Sequence, residues 1–265
     1  MKNLIAFLFT TSLLIVTFIS INGFSKRSIN TESYSLHKRN TIIPTNIQEY
    51  IAAHAHPEYK SKSDGKVSSG TLKYGYLLPY VGDNFWYFDA DSYLGGRAFT
   101  NNLVYSSIID SYATLKEKSN RIWCLMEASN QKGGKMAPHI THQNGLSIDF
   151  MMPLMKDQKP FYDFDDKGKL HYLMSFDDQG ISADNSNVSI DFDAVGSHIL
   201  ALEKAARNNG LKIKKVIIKI ELKDELFTSK YGKELEESGI YFVKGLSNLV
   251  NALHDDHYHI DFEEV

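Results

Sequence analysis

The chain has 265 residues, 43% of them hydrophobic and 23% charged, with a formal net charge of -3 at pH 7. This is the make-up of an ordinary globular protein with length for one domain. The slight acidity offers no basic stripe for a nucleic acid, and no repeat of solenoid or propeller length recurs.

The N-terminus reads as an export signal. Lys2 supplies the positive charge, residues 4–21 are apolar with scattered Thr and Ser, and Gly23-Phe24-Ser25 with Lys26-Arg27 ends the run. Cleavage is expected near residues 21–25, which makes residues 1–23 the signal peptide; left uncleaved, the same segment would anchor the chain to a membrane. Residues 24–45 are polar and rich in Ser, Asn and Thr, a flexible lead-in. Residues 46–265 are expected to form a single domain. The one cysteine, Cys124, excludes an internal disulfide, and its apolar flank reads as a buried, inert thiol.

Within the domain, residues 45–54 predict a helix capped by Thr45 or Asn46, with Ile47, Tyr50 and Ile51 on its apolar side. His54 and His56 follow, without a carboxylate beside them, and read as surface histidines. Residues 60–70, made of Lys, Ser, Asp and Gly, predict a loop. Residues 71–79 and 84–88 have the aromatic content of strands. After a turn at Leu94-Gly95-Gly96-Arg97, residues 100–118 predict a helix capped by Thr100, with Val104, Ile108, Tyr112 and Leu115 at helical spacing. Residues 121–127 read as a buried strand, and a loop containing Gly133-Gly134 leads to His139.

Residues 156–190 are acidic and irregular. Asp163-Phe164-Asp165-Asp166-Lys167-Gly168 begins like a calcium loop, but Met174 stands where such a loop closes on a bidentate Glu, so a polar hairpin turn is expected. Residues 191–209 predict a helix, stapled by Ile190, capped by Asp191 and apolar at Val195, Ile199, Leu202, Ala205 and Ala206. A buried strand follows at 215–220, then short helices at 223–230 and 246–253. Helices punctuate short strands without the spacing of βαβ units. This predicts an α+β fold, with a small antiparallel sheet flanked by helices and long loops.

Five of the ten histidines fall in two short windows, 139–142 and 254–259. Strand alternation explains why this matters. In residues 146–150, Leu146, Ile148 and Phe150 share one face, and Ser147 and Asp149 the other. In residues 257–262, Tyr258, Ile260 and Phe262 share one face, and His257, His259 and Asp261 the other. With both apolar faces on the core, both polar faces meet on one open side. Imidazole and carboxylate suit Zn²⁺, and three protein ligands leave a fourth position for water, the mark of a catalytic site.

His142-x6-Asp149 with the later His257-x-His259 resembles the zinc peptidases that include lysostaphin, the D-Ala-D-Ala peptidases and the Hedgehog fold. More narrowly, the segments 139–149 and 254–259 are similar to the penicillin-insensitive murein endopeptidases. Gly133-Gly134 and the helix–strand passage 191–220 fit that layout, and the resemblance spans residues 71–262. It implies that His142, Asp149 and His259 bind Zn²⁺, that His257 acts as general base or transition-state stabiliser, and that His139 and His254 line the substrate cleft. Arg97 is a further candidate, to steady an oxyanion or a substrate carboxylate. The chain departs from the family in two ways. Its lone cysteine cannot supply the disulfides of some members, and the acidic stretch 156–190 has no counterpart there.

The expectation is therefore an exported, periplasmic zinc metallopeptidase that cuts the D-alanyl–diamino acid cross-link of peptidoglycan. Its partners would be peptidoglycan peptides, with no nucleic acid and a membrane only if the signal is retained. Three alternatives stand beside it: a D,D-carboxypeptidase on stem peptides, a metal-binding interaction module without catalysis, and a structural zinc domain that a chelator would unfold.

Overall fold

The computed structural model describes residues 43–265. The export signal and nearly all of the lead-in lie outside the described residues. Among the described residues, no helix is long and apolar enough to cross a membrane.

The fold is α+β. Its main sheet has five strands: β4 (Phe85–Tyr87), β6 (Trp123–Leu125), β7 (Ser147–Met151), β11 (Leu211–Ile217) and β12 (His257–Glu264), in the order β11-β12-β7-β6-β4. Every neighbouring pair is antiparallel except β4 and β6, which run parallel. Two 17-residue helices, α3 (Asn102–Lys118) and α4 (Phe192–Asn208), pack on each other and cover one face. Their predicted stripes are buried as expected, Val104, Ile108, Tyr112 and Leu115 on one helix and Val195, Ile199, Leu202 and Ala206 on the other. His198 of α4 joins helix to sheet: its Nδ1 shares a hydrogen bond with the Tyr258 hydroxyl at 2.6 Å, and its ring lies 4.6 Å from that of Phe150.

The helix starts follow capping chemistry. Asp191 accepts from the Ala194 N–H at 2.9 Å, as predicted. Asn101 rather than Thr100 caps α3, accepting from the Leu103 N–H at 2.9 Å; Thr100 belongs to β5 (Phe99–Thr100). The first helix, α1 (Thr45–Ala53), has Pro44 at its N-cap and no side-chain cap. A short α2 (Ala90–Leu94) is capped by Asp89.

Three stretches differ from their sequence patterns. Residues 60–70 predict a loop, yet β1 (Lys62–Lys66) pairs with β2 (Ser69–Lys73) as a hairpin. Leu72 is its one buried side chain, so no alternation marks it. The strand predicted over 71–79 breaks where Tyr74 takes φ 57°. Beyond the break, β3 (Tyr76–Leu77) pairs with β5 instead. In the acidic stretch, β8 (Leu154–Lys156), β9 (Lys159–Phe161) and β10 (Ser189–Ile190) form a small sheet. The polar hairpin turn predicted at 163–168 is replaced by a 3₁₀ segment, Asp165–Leu173, bent at Gly168 with φ 54°. Tertiary contacts hold it there, including the Lys169 N–H on Asp89 Oδ2 at 3.2 Å. Three short helices complete the chain, α5 (Lys223–Thr228), α6 (Gly232–Glu237) and α7 (Asn248–Ala252). Cys124 is buried.

Asp191 has two tasks, since it caps α4 and forms an ion pair with the buried Arg121. Asp191→Ala removes both and should cost about 2–4 kcal/mol in urea unfolding. Asp191→Asn keeps a capping oxygen and should lose about 1 kcal/mol less. Equal losses in the two variants would show that the cap contributes nothing.

Candidate metal centre

The hairpin missing from the sequence pattern is what fixes the first histidine window. The Gln143 N–H bonds to the Val67 carbonyl at 2.9 Å, at the tip of β1–β2, and the Leu72 N–H bonds to Lys132 O at 2.9 Å. The close approach needs Gly133: with φ 68°, a Cβ there would stand 2.2 Å from Gln143 O and 2.6 Å from Leu72 N. His142 itself sits at φ 67°, a left-handed conformation uncommon for a residue other than Gly, and is fully buried. Its surroundings hold the strain in place.

The second half comes from the sheet. Asp149 of β7 lies directly opposite His259 of β12 in the register, and Met151 opposite His257. Ser147, Asp149, His257, His259 and Asp261 share the polar face that alternation predicts, and all are buried. Asp149 is the hub. His259 Nδ1 lies 2.7 Å from its Oδ1, His142 Nε2 lies 3.3 Å from the same oxygen, and His139 Nδ1 lies 3.5 Å from Oδ2. The rings of His142 and His259 are 4.7 Å apart, and those of His139 and His142 are 4.6 Å apart.

Further carboxylates hold the outer ring nitrogens. Asp261 meets His259 Nε2 at 2.7 Å and accepts from Ser147 Oγ at 2.6 Å. Asp256 meets His257 Nδ1 at 2.5 Å. Glu127 meets His139 Nε2 at 2.7 Å, and it also accepts from Ser92 Oγ at 2.7 Å and Arg97 Nη1 at 2.6 Å. Such outer partners orient metal-binding imidazoles. His254 turns its Nδ1 to the Val250 carbonyl at 2.6 Å, with its ring 4.9 Å from that of His257.

All seven residues singled out in the sequence come together here or beside it. Arg97 is turned onto Glu127 and onto the Ala137 carbonyl, at 2.5 Å, so it braces His139 through Glu127. Glu127, in contrast, is invisible in the sequence pattern. The Met126 N–H bonds to Asp149 O, while the Asp149 N–H bonds to Glu127 O. Two residues therefore oppose one, a bulge that shifts the alternation and turns Glu127 towards His139. Tyr172, on the 3₁₀ segment, is the other addition: its ring lies 5.2 Å from that of His257 and 6.2 Å from that of His139. No motif marks it.

Charge and burial work against each other throughout. Burial alone would raise the Asp149 carboxyl, but His142 and His259 hold it well below the usual range. Burial likewise opposes ionisation of Glu127, yet His139 and Arg97 bring it down to about 2. His259 goes the other way: burial disfavours its proton, but Asp261 and Asp149 push its pKa up to about 9. Burial lowers His142, and it takes His257 to about 4 and His254 to about 3, so these rings are neutral at pH 7.

His139, His142 and Asp149 each offer a ligand atom, and these atoms lie within 4.8 Å of one another. Both ring nitrogens of His142, and Asp149 Oδ2, are buried without a hydrogen-bond partner in the protein. Leaving such groups unpaired costs about 1–3 kcal/mol each. A cation held among them removes that cost, so the donor set fits a metal ion. Elsewhere, a cleft of about 490 Å³ beside Arg121, Trp123 and Asp191 contains none of these residues.

In comparisons with known proteins, the chain matches no protein-family model and no curated protein.

The His259 proton sets a pH test on metal-free protein. A folded-state pKa of about 9, above the ordinary 6.5, contributes stability that is full below pH 6.5 and lost as pH rises through about 9. Thermal melts in chelator should therefore show Tm falling between pH 7 and pH 9. Metal binding competes with this proton, so metal should flatten the fall. A Tm that rises across that window would contradict the assignment.

Proposed function

We propose that this chain is an exported zinc-dependent peptide hydrolase that cuts the D-alanyl–diamino acid cross-link of peptidoglycan. The observation that carries the reading is the buried His142 imidazole and Asp149 Oδ2, which make no well-formed hydrogen bond in the protein, beside a neutral His257 whose Nδ1 is held by Asp256. The substrate and the periplasmic location come from the motif resemblance and the N-terminal segment.

Zinc is the metal that nitrogen and carboxylate donors without thiolate favour. We assign His142, Asp149 and His259 as its ligands. Asp149 and His259 face each other on paired strands and are held more rigidly than His139, which sits on a loop. On this assignment His259 would give up a ring proton to act as a ligand, and Asp261 would hold the other nitrogen of that ring. Zinc, when bound, would polarise a substrate carbonyl and bring the pKa of water down to about 7.

The remaining chemistry belongs to the chain. His257 is neutral at pH 7 and can accept a proton, and Asp256 on its Nδ1 fixes the ring and stabilises the imidazolium that forms. That pairing favours an enzyme over an inert binding module. His139 and His254 are the partly exposed histidines at the edge of the cluster and line the approach. The orientation of Arg97 towards Glu127 and Ala137 O favours cross-link cleavage over carboxypeptidase action, which needs a cation for the terminal carboxylate.

Two experiments test this. Zinc-loaded protein should convert cross-linked muropeptide dimers to monomers by mass spectrometry, a chelator should stop it, and His257→Ala should lower kcat about 10²–10⁴-fold. Undiminished dimers with the native protein would sink the proposal. Separately, His259→Ala should weaken zinc binding beyond the about 10–100-fold loss expected of an outer partner, and His139→Ala should not. The reverse order would make His139 the third ligand.

A further inference from the structure

We infer that Tyr172 is a catalytic residue of this site, its phenol donating a hydrogen bond to the substrate oxygen that gains negative charge. The inference rests on the hydrolase reading above. In that reaction a water oxygen bonds to the peptide carbonyl carbon, and the carbonyl π pair moves onto its oxygen. The water proton passes to His257. When the C=O re-forms, the C–N bond breaks and His257 returns the proton to the leaving amine. The oxygen charged in between needs a donor that is fixed beforehand and neutral enough to sit among carboxylates.

The donors predicted from the sequence are committed elsewhere. Arg97 serves Glu127 and Ala137 O. His139 Nε2 is on Glu127, His254 Nδ1 on Val250 O, and His257 Nδ1 on Asp256. The Tyr172 hydroxyl is different: it is buried and has no hydrogen-bond partner in the protein. Its ring stands edge-on to both His257 and His139, at 88° and 65°, and is backed by Phe88 at 5.6 Å. The next residue back, His171, is fully buried and pairs its Nε2 with the Asp256 carbonyl at 3.1 Å. The segment that carries Tyr172 is thus tied to the same Asp256 that orients His257. A buried hydroxyl left unpaired is a standing cost, and such groups are kept where a ligand completes them.

Tyr172→Phe removes the one oxygen and keeps the ring. Because no protein hydrogen bond is lost, the Tm of the metal-free variant should equal or exceed that of the native chain. Zinc affinity and KM should stay within about 2-fold, while kcat falls about 10²-fold, as for loss of one oxyanion donor. Calorimetry with a phosphinate peptide, which mimics the tetrahedral state, should show a similar loss of affinity for the variant. Unchanged kcat and phosphinate affinity would overturn the role, and a clear drop in Tm would make the hydroxyl structural. Native protein that takes up zinc but neither cleaves cross-linked peptide nor binds the phosphinate would overturn the hydrolase reading and this role with it.

Discussion

The fold depends on keeping a charged carboxylate, Asp149, in a place that water does not reach. Its side chain is 1% exposed, and an isolated buried charge of this kind is far too costly to persist. Three imidazoles surround it, and the rest of the architecture exists to present them. The β7–β12 register brings His259 opposite it, the β1–β2 hairpin clamps the loop that bears His139 and His142, and Glu127 and Asp261 hold the outer nitrogens. The covered face of the same strands pays the cost, where Phe150 and Tyr258 pack on α4.

Much of this was legible in the sequence because it follows from periodicity. Helices α3 and α4 bury an apolar stripe each, and β7 and β12, though buried on both faces, alternate apolar with polar residues, so both patterns are written in the residues. That alternation also sorts His257, His259 and Asp149 onto one side. The hairpin at 62–73 is unreadable for the opposite reason: with Leu72 alone buried, neither face differs from solvent. Glu127 escapes notice because a bulge breaks the alternation at that residue, and Tyr172 because a 3₁₀ segment carries no period long enough to detect. Arg97 falls in the right place, but the sequence holds no hint that Glu127 would take it.

Asp256 links the main sheet to the acidic stretch. Its side chain meets His257 and its carbonyl meets His171, so one residue ties the acidic stretch to the histidine-bearing strand. The acidic stretch is therefore packed against the histidine cluster. The exposed Leu170 and Leu173 flank Tyr172 in the chain, and Ile140 stands exposed next to His139.

The central claim is that His142 and Asp149 hold a metal ion on the polar face of the sheet. An anomalous-difference map from a crystal of zinc-loaded protein, collected at the zinc edge, tests it most directly. The account predicts one strong peak between the His142 ring and Asp149, within about 2.0–2.2 Å of a nitrogen and an oxygen. The absence of a peak there, with zinc bound elsewhere or not at all, would contradict it.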